Sequence, residues 1–562
     1  MKSVIKSFII LLATGVMSSC SESFLELTKP IKPSSETYYT DTATAYTGLV
    51  GCYNSLQQVP RVEAPTNLFF ILDIRSDDTD YGGNRLGESL EDNYYRAVGF
   101  SNFDIFSDLS HASEMWLYGF RGINTVNLYL EGVSKLTLTP TQQLLINQYN
   151  AEAKFLRAFF YFHLVKNYGG VPLITKAVEP ANWLTLRRAS ENEIYSQIFS
   201  DLREAIPSLP LKSGYTLTQT NRITKGAAQA LLAKALITNA EINALSPNWT
   251  EAYTLCDDIE KSSQYDLNTN VKDIFSVAGQ FATEHVFDIV YDQAINGEND
   301  AYIHYLSPRY IYKNGTITDA EKMTYGFGVS CITEECANQY ISDINVVSPG
   351  NYTFSYYNQN NTDTMKYINM LDQRGRYTFW SRFEKYCGVV YVADKLTQRN
   401  ETKHVGRTDD GNYAGRKYNR EALATAGYSI AGSNFHVIRF AEVLLLKAEA
   451  AYYKSDETEA LRLVNLVRER AFRQAIAAGR VTLDQIKRTS TGSAVLEDIW
   501  QERRLEMAGE TDRFYDLKRT HRLDLLKIKK PEIMFQTGKH ELLPIPSSEL
   551  SKAAFLTQNP NY

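Results

Sequence analysis

The chain has 562 residues, 44% of them hydrophobic, enough to bury a large core without disulfide or metal staples. Its 59 basic and 65 acidic residues leave a formal charge of −6 with no basic block, which argues against nucleic acid or a polybasic membrane surface as partner. Charged residues of mixed sign at 22%, beside 12% aromatics, exclude a disordered chain. The anomaly is tyrosine, 37 against 26 Phe and 5 Trp; a flat apolar ring with a polar tip suits a partly wet binding surface.

In chain order, Lys2 and Lys6 precede an apolar run from Phe8 to Met17 and then Ser18-Ser19-Cys20. That is the layout of a secretory signal, too short to span a bilayer. Met17-Ser18-Ser19-Cys20 resembles a bacterial lipobox, so residues 1–19 are expected to be removed and Cys20 to carry the lipid. The remaining cysteines, Cys52, Cys256, Cys331, Cys336 and Cys387, are odd in number and scattered, which predicts free buried thiols rather than a disulfide framework.

Amphipathic stretches follow at about 35–58 and 112–132. Thr139-Pro140-Thr141-Gln142 reads as a capping box with Pro in the first turn, opening a helix that Tyr168-Gly169-Gly170-Val171-Pro172 ends. Ser190-Glu191-Asn192-Glu193 is a second capping box. Helices are also expected at 224–240, from Asn248 to Lys261, at 437–453 paired with 457–470, and at 496–508. Antiparallel helix pairs with Ala at close contacts describe a mainly α, tetratricopeptide-like scaffold. Between 286 and 430 helical periodicity fades, and this window holds 17 of the 37 tyrosines. We read it as an irregular insertion forming a second lobe, between an N-terminal region (20–285) and a C-terminal one (431–562).

Catalytic signatures are missing. The chain has no Gly-x-Ser-x-Gly elbow, no His-Glu-x-x-His and no phosphate loop, and its eight histidines are dispersed, none at metal-ligand spacing from another. Asp73, Asp77, Asp78 and Asp80 form an acidic turn whose spacing is not that of an EF-hand; it is read as solvated or loop-ordering. No cofactor, metal or enzymatic activity is expected.

Six segments, in order, resemble the SusD/RagB outer-membrane nutrient-binding lipoproteins of Bacteroidetes. They are Cys20 with Phe24-Leu25-Glu26-Leu27, then 151–158 through Tyr168-Gly169-Gly170-Val171-Pro172-Leu173, and Arg222-Ile223-Thr224-Lys225-Gly226. Ile438-Arg439-Phe440-Ala441-Glu442 follows, then Glu502-Arg503-Arg504-Leu505-Glu506 with Arg513-Phe514-Tyr515-Asp516, and Leu543-Pro544-Ile545-Pro546 with the tail to Tyr562. Of these charges, Arg439 with Glu442, and Glu506 with Arg513 and Asp516, are read as pairs locking helices together.

The resemblance implies a non-catalytic, lipid-anchored protein on the outer-membrane surface. It would capture a glycan for a TonB-dependent transporter of the SusC type. A peptide-capturing relative and a scaffold that only supports the barrel are the alternatives. By position and chemistry, ligand contacts are expected from Arg75, Asp78, Tyr81, Asn84, Arg85, Tyr94 and Tyr95, and from Tyr302, Tyr305, Tyr310 and Tyr325.

Overall fold

The computed structural model describes residues 38–58, 72–81, 99–178, 184–216, 219, 221–243, 248–276, 279–291, 311–312, 322–323, 330–350, 371–380, 385–386, 389–390, 413–415, 417 and 434–562. Six helices come first: α1 (Thr42–Gln58), α2 (Ser110–Val133), α3 (Pro140–Tyr168), α4 (Glu191–Ala205), α5 (Lys225–Asn243) and α6 (Trp249–Lys261). After the segment 286–430 follow α9 (Phe440–Tyr453), α10 (Glu457–Ala477), α11 (Ser493–Met507) and α12 (Arg513–Arg519). Within that segment lie α7 (Glu334–Val347) and α8 (Gln373–Thr378).

Local chemistry starts three of these helices, and stops one, where the sequence says it should. The Thr139 and Ser190 side chains each accept from the backbone N–H three residues on, and Gln142 and Glu193 reach back, completing both capping boxes. Asn248 caps α6 through the Glu251 N–H. α3 ends at Gly169, whose φ of +70° is the left-handed region a side chain would oppose.

Packing then builds a stack. α1 lies on α2 and α3, and α2–α3, α3–α4, α4–α5 and α5–α6 each pack as neighbours. Close approach depends on small residues. A Cβ at Gly122 of α2 would strike the Phe160 ring of α3, and one at Gly119 would sit 2.9 Å from Leu164. α6 packs directly on α9, followed by α9–α10 and α10–α11, so the helical stack continues across the intervening segment. Trp249 stacks on Tyr453 at 4.1 Å across that junction, and Lys447 ties Asp257, Glu260 and Glu459 together at 2.6–3.0 Å.

Of the four sheets among the described residues, two tie the segment to the rest of the chain. β2 (His285–Ile289) and β6 (Phe435–Arg439) pair antiparallel where the chain leaves and rejoins the helices. β1 (Thr79–Tyr81), β3 (Ser330–Ile332), β4 (Phe379–Trp380) and β5 (Tyr413–Gly415) form a four-stranded sheet in the order β1-β3-β5-β4. At the far end Asn559 Nδ2 donates to the Tyr168 and Leu543 carbonyls (3.0 and 2.7 Å), clamping the tail against the end of α3.

Two expectations need correction. Residues 437–439 are strand, because Phe435 and Ile438 bury their side chains in the pairing with β2; the helix begins at Phe440, whose N–H donates to the Glu284 carbonyl. Helical periodicity does persist inside 286–430. Thr333 caps α7, and Cys336, Ala337, Tyr340, Ile341, Ile344 and Val347 bury one face. Cys52, Cys256 and Cys336 are free and buried.

Candidate functional site

The acidic turn sets one edge of the site, and it is not solvated: residues 72–80 are all buried. Arg513 grips Asp77 with two parallel hydrogen bonds, Nε at 2.7 Å and Nη2 at 3.0 Å. Arg504 bridges both neighbours, donating to Asp78 Oδ1 at 2.7 Å and Asp77 Oδ2 at 3.0 Å. Lys530 Nζ donates to the carbonyls of Ser76 (2.6 Å) and Thr79 (2.8 Å), so the backbone of the turn is held as well. Burial opposes the charge on Asp77, but the guanidiniums of Arg513 and Arg504 outweigh it and hold its carboxyl below the usual range. Asp73 lies deeper without an arginine. Burial, then the nearby Asp78 charge, pushes its carboxyl up to about 8.

This clamp delivers the chain into β1. The register sets Thr79 opposite Ile332, Asp80 opposite Cys331 and Tyr81 opposite Ser330. Because the strands are antiparallel, the chain continues beyond Tyr81 at the same end of the sheet where it arrives at Ser330. Thr333, next along, accepts no slack: its N–H donates to the Asp78 carbonyl at 2.9 Å and its hydroxyl to the Asp77 carbonyl at 2.6 Å. One end of one small sheet therefore joins the two stretches singled out in sequence, fastened from beneath by α11 and α12.

Arg75 and Asp78 do not face that end, which corrects their expected role as ligand contacts. Each is 1% exposed. Arg75 donates to the Leu72 carbonyl (3.0 Å) and Asn167 Oδ1 (3.1 Å), with its guanidinium 4.1 Å from the Phe514 ring centre. Asp78 is taken up by Arg504. Tyr81 ends β1, placed by its backbone. Asn84, Arg85, Tyr94, Tyr95, Tyr302, Tyr305, Tyr310, Tyr325 and the lipidation residue Cys20 lie outside the described residues.

Beside the clamp runs a second buried network with partners the sequence did not reveal. Arg439 pairs with Glu284 (2.5 Å), Glu506 (3.0 Å) and Glu510 (2.7 Å), not with Glu442. Glu442 instead binds Lys234 and Arg503, both at 2.8 Å, and Asp516 binds Arg503 (2.7 Å) and Arg519 (2.8 Å). Arg374 of α8 reaches Glu502 at 2.5 Å and Lys417 reaches Glu510 at 2.5 Å, tying the 286–430 segment to α11. These are locking charges, as expected, but long-range pairing chooses their partners. Among the described residues, one group is spaced to hold a metal ion: His285, Asp288 and His436.

The model of the SusD family matches residues 283–562, and one described as starch-binding associating with outer membrane matches residues 88–237. The chain belongs to the SusD family. A SusD-like protein P2 from Formosa agariphila is 25% identical over 576 residues, covering 99% of each chain. A solved laminarin-binding SusD-like protein is 25% identical with a TM-score of 0.69, covering 93% of this chain and all of that one. Surface glycan-binding protein A from Bacteroides thetaiotaomicron, solved with laminarihexaose, shares the fold at 21% identity and a TM-score of 0.69, over 93% and 100% of the two chains. The SusD-family match beginning at residue 283 takes in Glu284, β2 and every carboxylate that Arg439 binds.

Proposed function

We propose that this chain is a non-catalytic lipoprotein of the outer-membrane surface that binds a glycan and passes it to a TonB-dependent transporter of the SusC type. The observation that carries the ligand reading is the Tyr81–Ser330 register, which starts residues 82–95 and ends residues 302–329 at one end of the same sheet. Tyr81, Asn84, Arg85, Tyr94 and Tyr95 come from the first stretch, and Tyr302, Tyr305, Tyr310 and Tyr325 from the second. Their chemistry is that of a sugar site: rings to cover the apolar faces, amide and guanidinium groups to bond the hydroxyls. The 25% identical laminarin-binding relative supports a polysaccharide as ligand and puts laminarin first among candidates. The outer-membrane wording of the second matched family supports the location, with Cys20 as the anchor.

Native affinity electrophoresis of the protein beginning at Ser21, in gels containing laminarin, starch, xylan or mannan, tests this reading. Retardation by one glycan class, with the polysaccharide recovered uncleaved, is the expected result. Mobility unchanged on every glycan, or shortened polysaccharide, would contradict it; the first would favour a peptide ligand or a purely supporting role.

A further inference from the structure

We propose that His285, Asp288 and His436 form a binding site for a divalent transition-metal ion, zinc above all, that cross-links β2 to β6. Dispersed in sequence, the two histidines are 151 positions apart. Antiparallel pairing places His436 directly opposite Asp288, and His285 lies three residues before Asp288 on the same strand. The three ligand atoms fall within 4.8 Å of one another, and the two imidazole centroids are 4.0 Å apart. His285 Nδ1 is 3.3 Å from Asp288 Oδ2, and His436 Nδ1 is 3.0 Å from Asp288 Oδ1. Zinc bonds of about 2.0–2.1 Å in tetrahedral array imply ligand–ligand edges of roughly 3.3 Å, and each imidazole nitrogen stands at close to that spacing from a carboxylate oxygen of its own.

Burial strengthens the case. His285 is 5% exposed; its Nδ1 faces the Asp288 carboxylate at 3.3 Å, and its buried Nε2 has no hydrogen-bond partner among the described residues. A buried ring nitrogen left in that condition forfeits the hydrogen bond it makes in water, and a cation bound to it beside the carboxylate would recover that loss. Two imidazoles and one carboxylate form a donor set of intermediate softness, suited to zinc over calcium or magnesium, which take oxygen ligands. The surroundings complete a shell. The Phe275 ring stands edge-on to His436 at 5.4 Å, and Lys212 Nζ holds the backbone from behind through the carbonyls of Ala282 (3.1 Å) and His285 (3.0 Å). With its side chain 8% exposed, Asp288 is the least buried of the three, and a water would serve as fourth ligand there. The site would pin the two strands by which the 286–430 segment leaves the helices, independently of any glycan.

The test uses the whole mature chain with no histidine tag, stripped with chelator and titrated with Co2+ and then Zn2+. Expected are one Co2+ per chain with the visible absorption of a tetrahedral centre, bleached by stoichiometric Zn2+, and a melting temperature raised by several degrees on zinc addition. Asp288→Asn and His285→Gln should lower the metal affinity by at least tenfold each. A wild-type protein that shows no cobalt band and no zinc-dependent melting shift overturns the proposal, as does undiminished binding in the double variant. The wild-type spectrum decides the matter even where a variant folds poorly.

Discussion

The helical stack of α2–α5 and the junction of α11 and α12 with the 286–430 segment solve the same problem, holding long elements together, by opposite means. On α3 the contacts are apolar and close: Phe155, Leu156, Phe159, Phe160 and Leu164 are at most 1% exposed, and glycines on α2 admit Phe160 and Leu164. Around α11 the buried groups are charges. Arg439, Glu502, Glu506 and Glu510 are at most 4% exposed, and each is matched to an opposite charge. Apolar packing tolerates substitution in proportion to volume, whereas a buried pair fails abruptly when one partner goes, because the other charge is stranded. The helical stack is thus graded in its response and the charged junction is not.

The sharpest break in this comparison should come from Arg439→Ala. It takes away the guanidinium that Glu284, Glu506 and Glu510 share, leaving them only Arg470, Arg374 and Lys417, and a loss of about 3 kcal/mol in denaturant unfolding is expected. The acid limb should change with it. Burial works against the Glu506 charge, but Arg470, Arg439 and Arg374 outweigh it and hold its carboxyl well below the usual range. Such a depressed carboxylate contributes stability above its unfolded value and loses it as pH falls through the folded one. The wild type should therefore lose more stability in acid than Arg439→Ala does.

In the apolar region, Leu156→Ala should cost about 2–5 kcal/mol with no altered pH slope. Gly122→Ala, which drives a methyl into the Phe160 ring, should cost about 1–3 kcal/mol. A pH-dependent effect in either variant would mean that the two regions are coupled.

Asp73→Asn sharpens the comparison from the other side. With its carboxyl raised to about 8, Asp73 binds a proton in the folded state that it has released when unfolded, so it takes stability away as pH rises from about 4 to 8. The variant should melt a few degrees higher than wild type at pH 8 and no higher at pH 4. The smallest effect belongs to Ser190→Ala, which opens one capping box and should cost about 1 kcal/mol by thermal melting.

These differences also explain what the sequence could and could not reveal. Helix starts at Thr139, Ser190 and Asn248 were legible because a cap is a contact among neighbours in sequence. Residues 437–439 were misread as helix because Val437 and Ile438 suit a strand or a helix alike, and β2, some 150 residues earlier, decides between them. α7 was missed although Thr333 and the run Cys336, Ala337, Tyr340, Ile341, Ile344 carried its signal; the turn-rich surroundings masked a local period. The partners of Arg439, Arg504 and Arg513 had no local signature, since their carboxylates lie far away in the chain. For the same reason Arg75 and Asp78 looked like surface contacts and are interior ones, and two histidines with no motif meet across a strand pair.

The proposed ligand site requires that the stretches after Tyr81 and before Ser330, which meet at one end of the sheet, act together. A double-mutant cycle on Tyr81→Ala and Tyr302→Ala tests it most directly, read by calorimetric titration with the glycan that retards the wild type. The account predicts that each substitution weakens binding at least tenfold with melting unchanged, and that the double variant loses less than the sum of the two. Unaltered affinity in either single variant, or strictly additive losses, would contradict it.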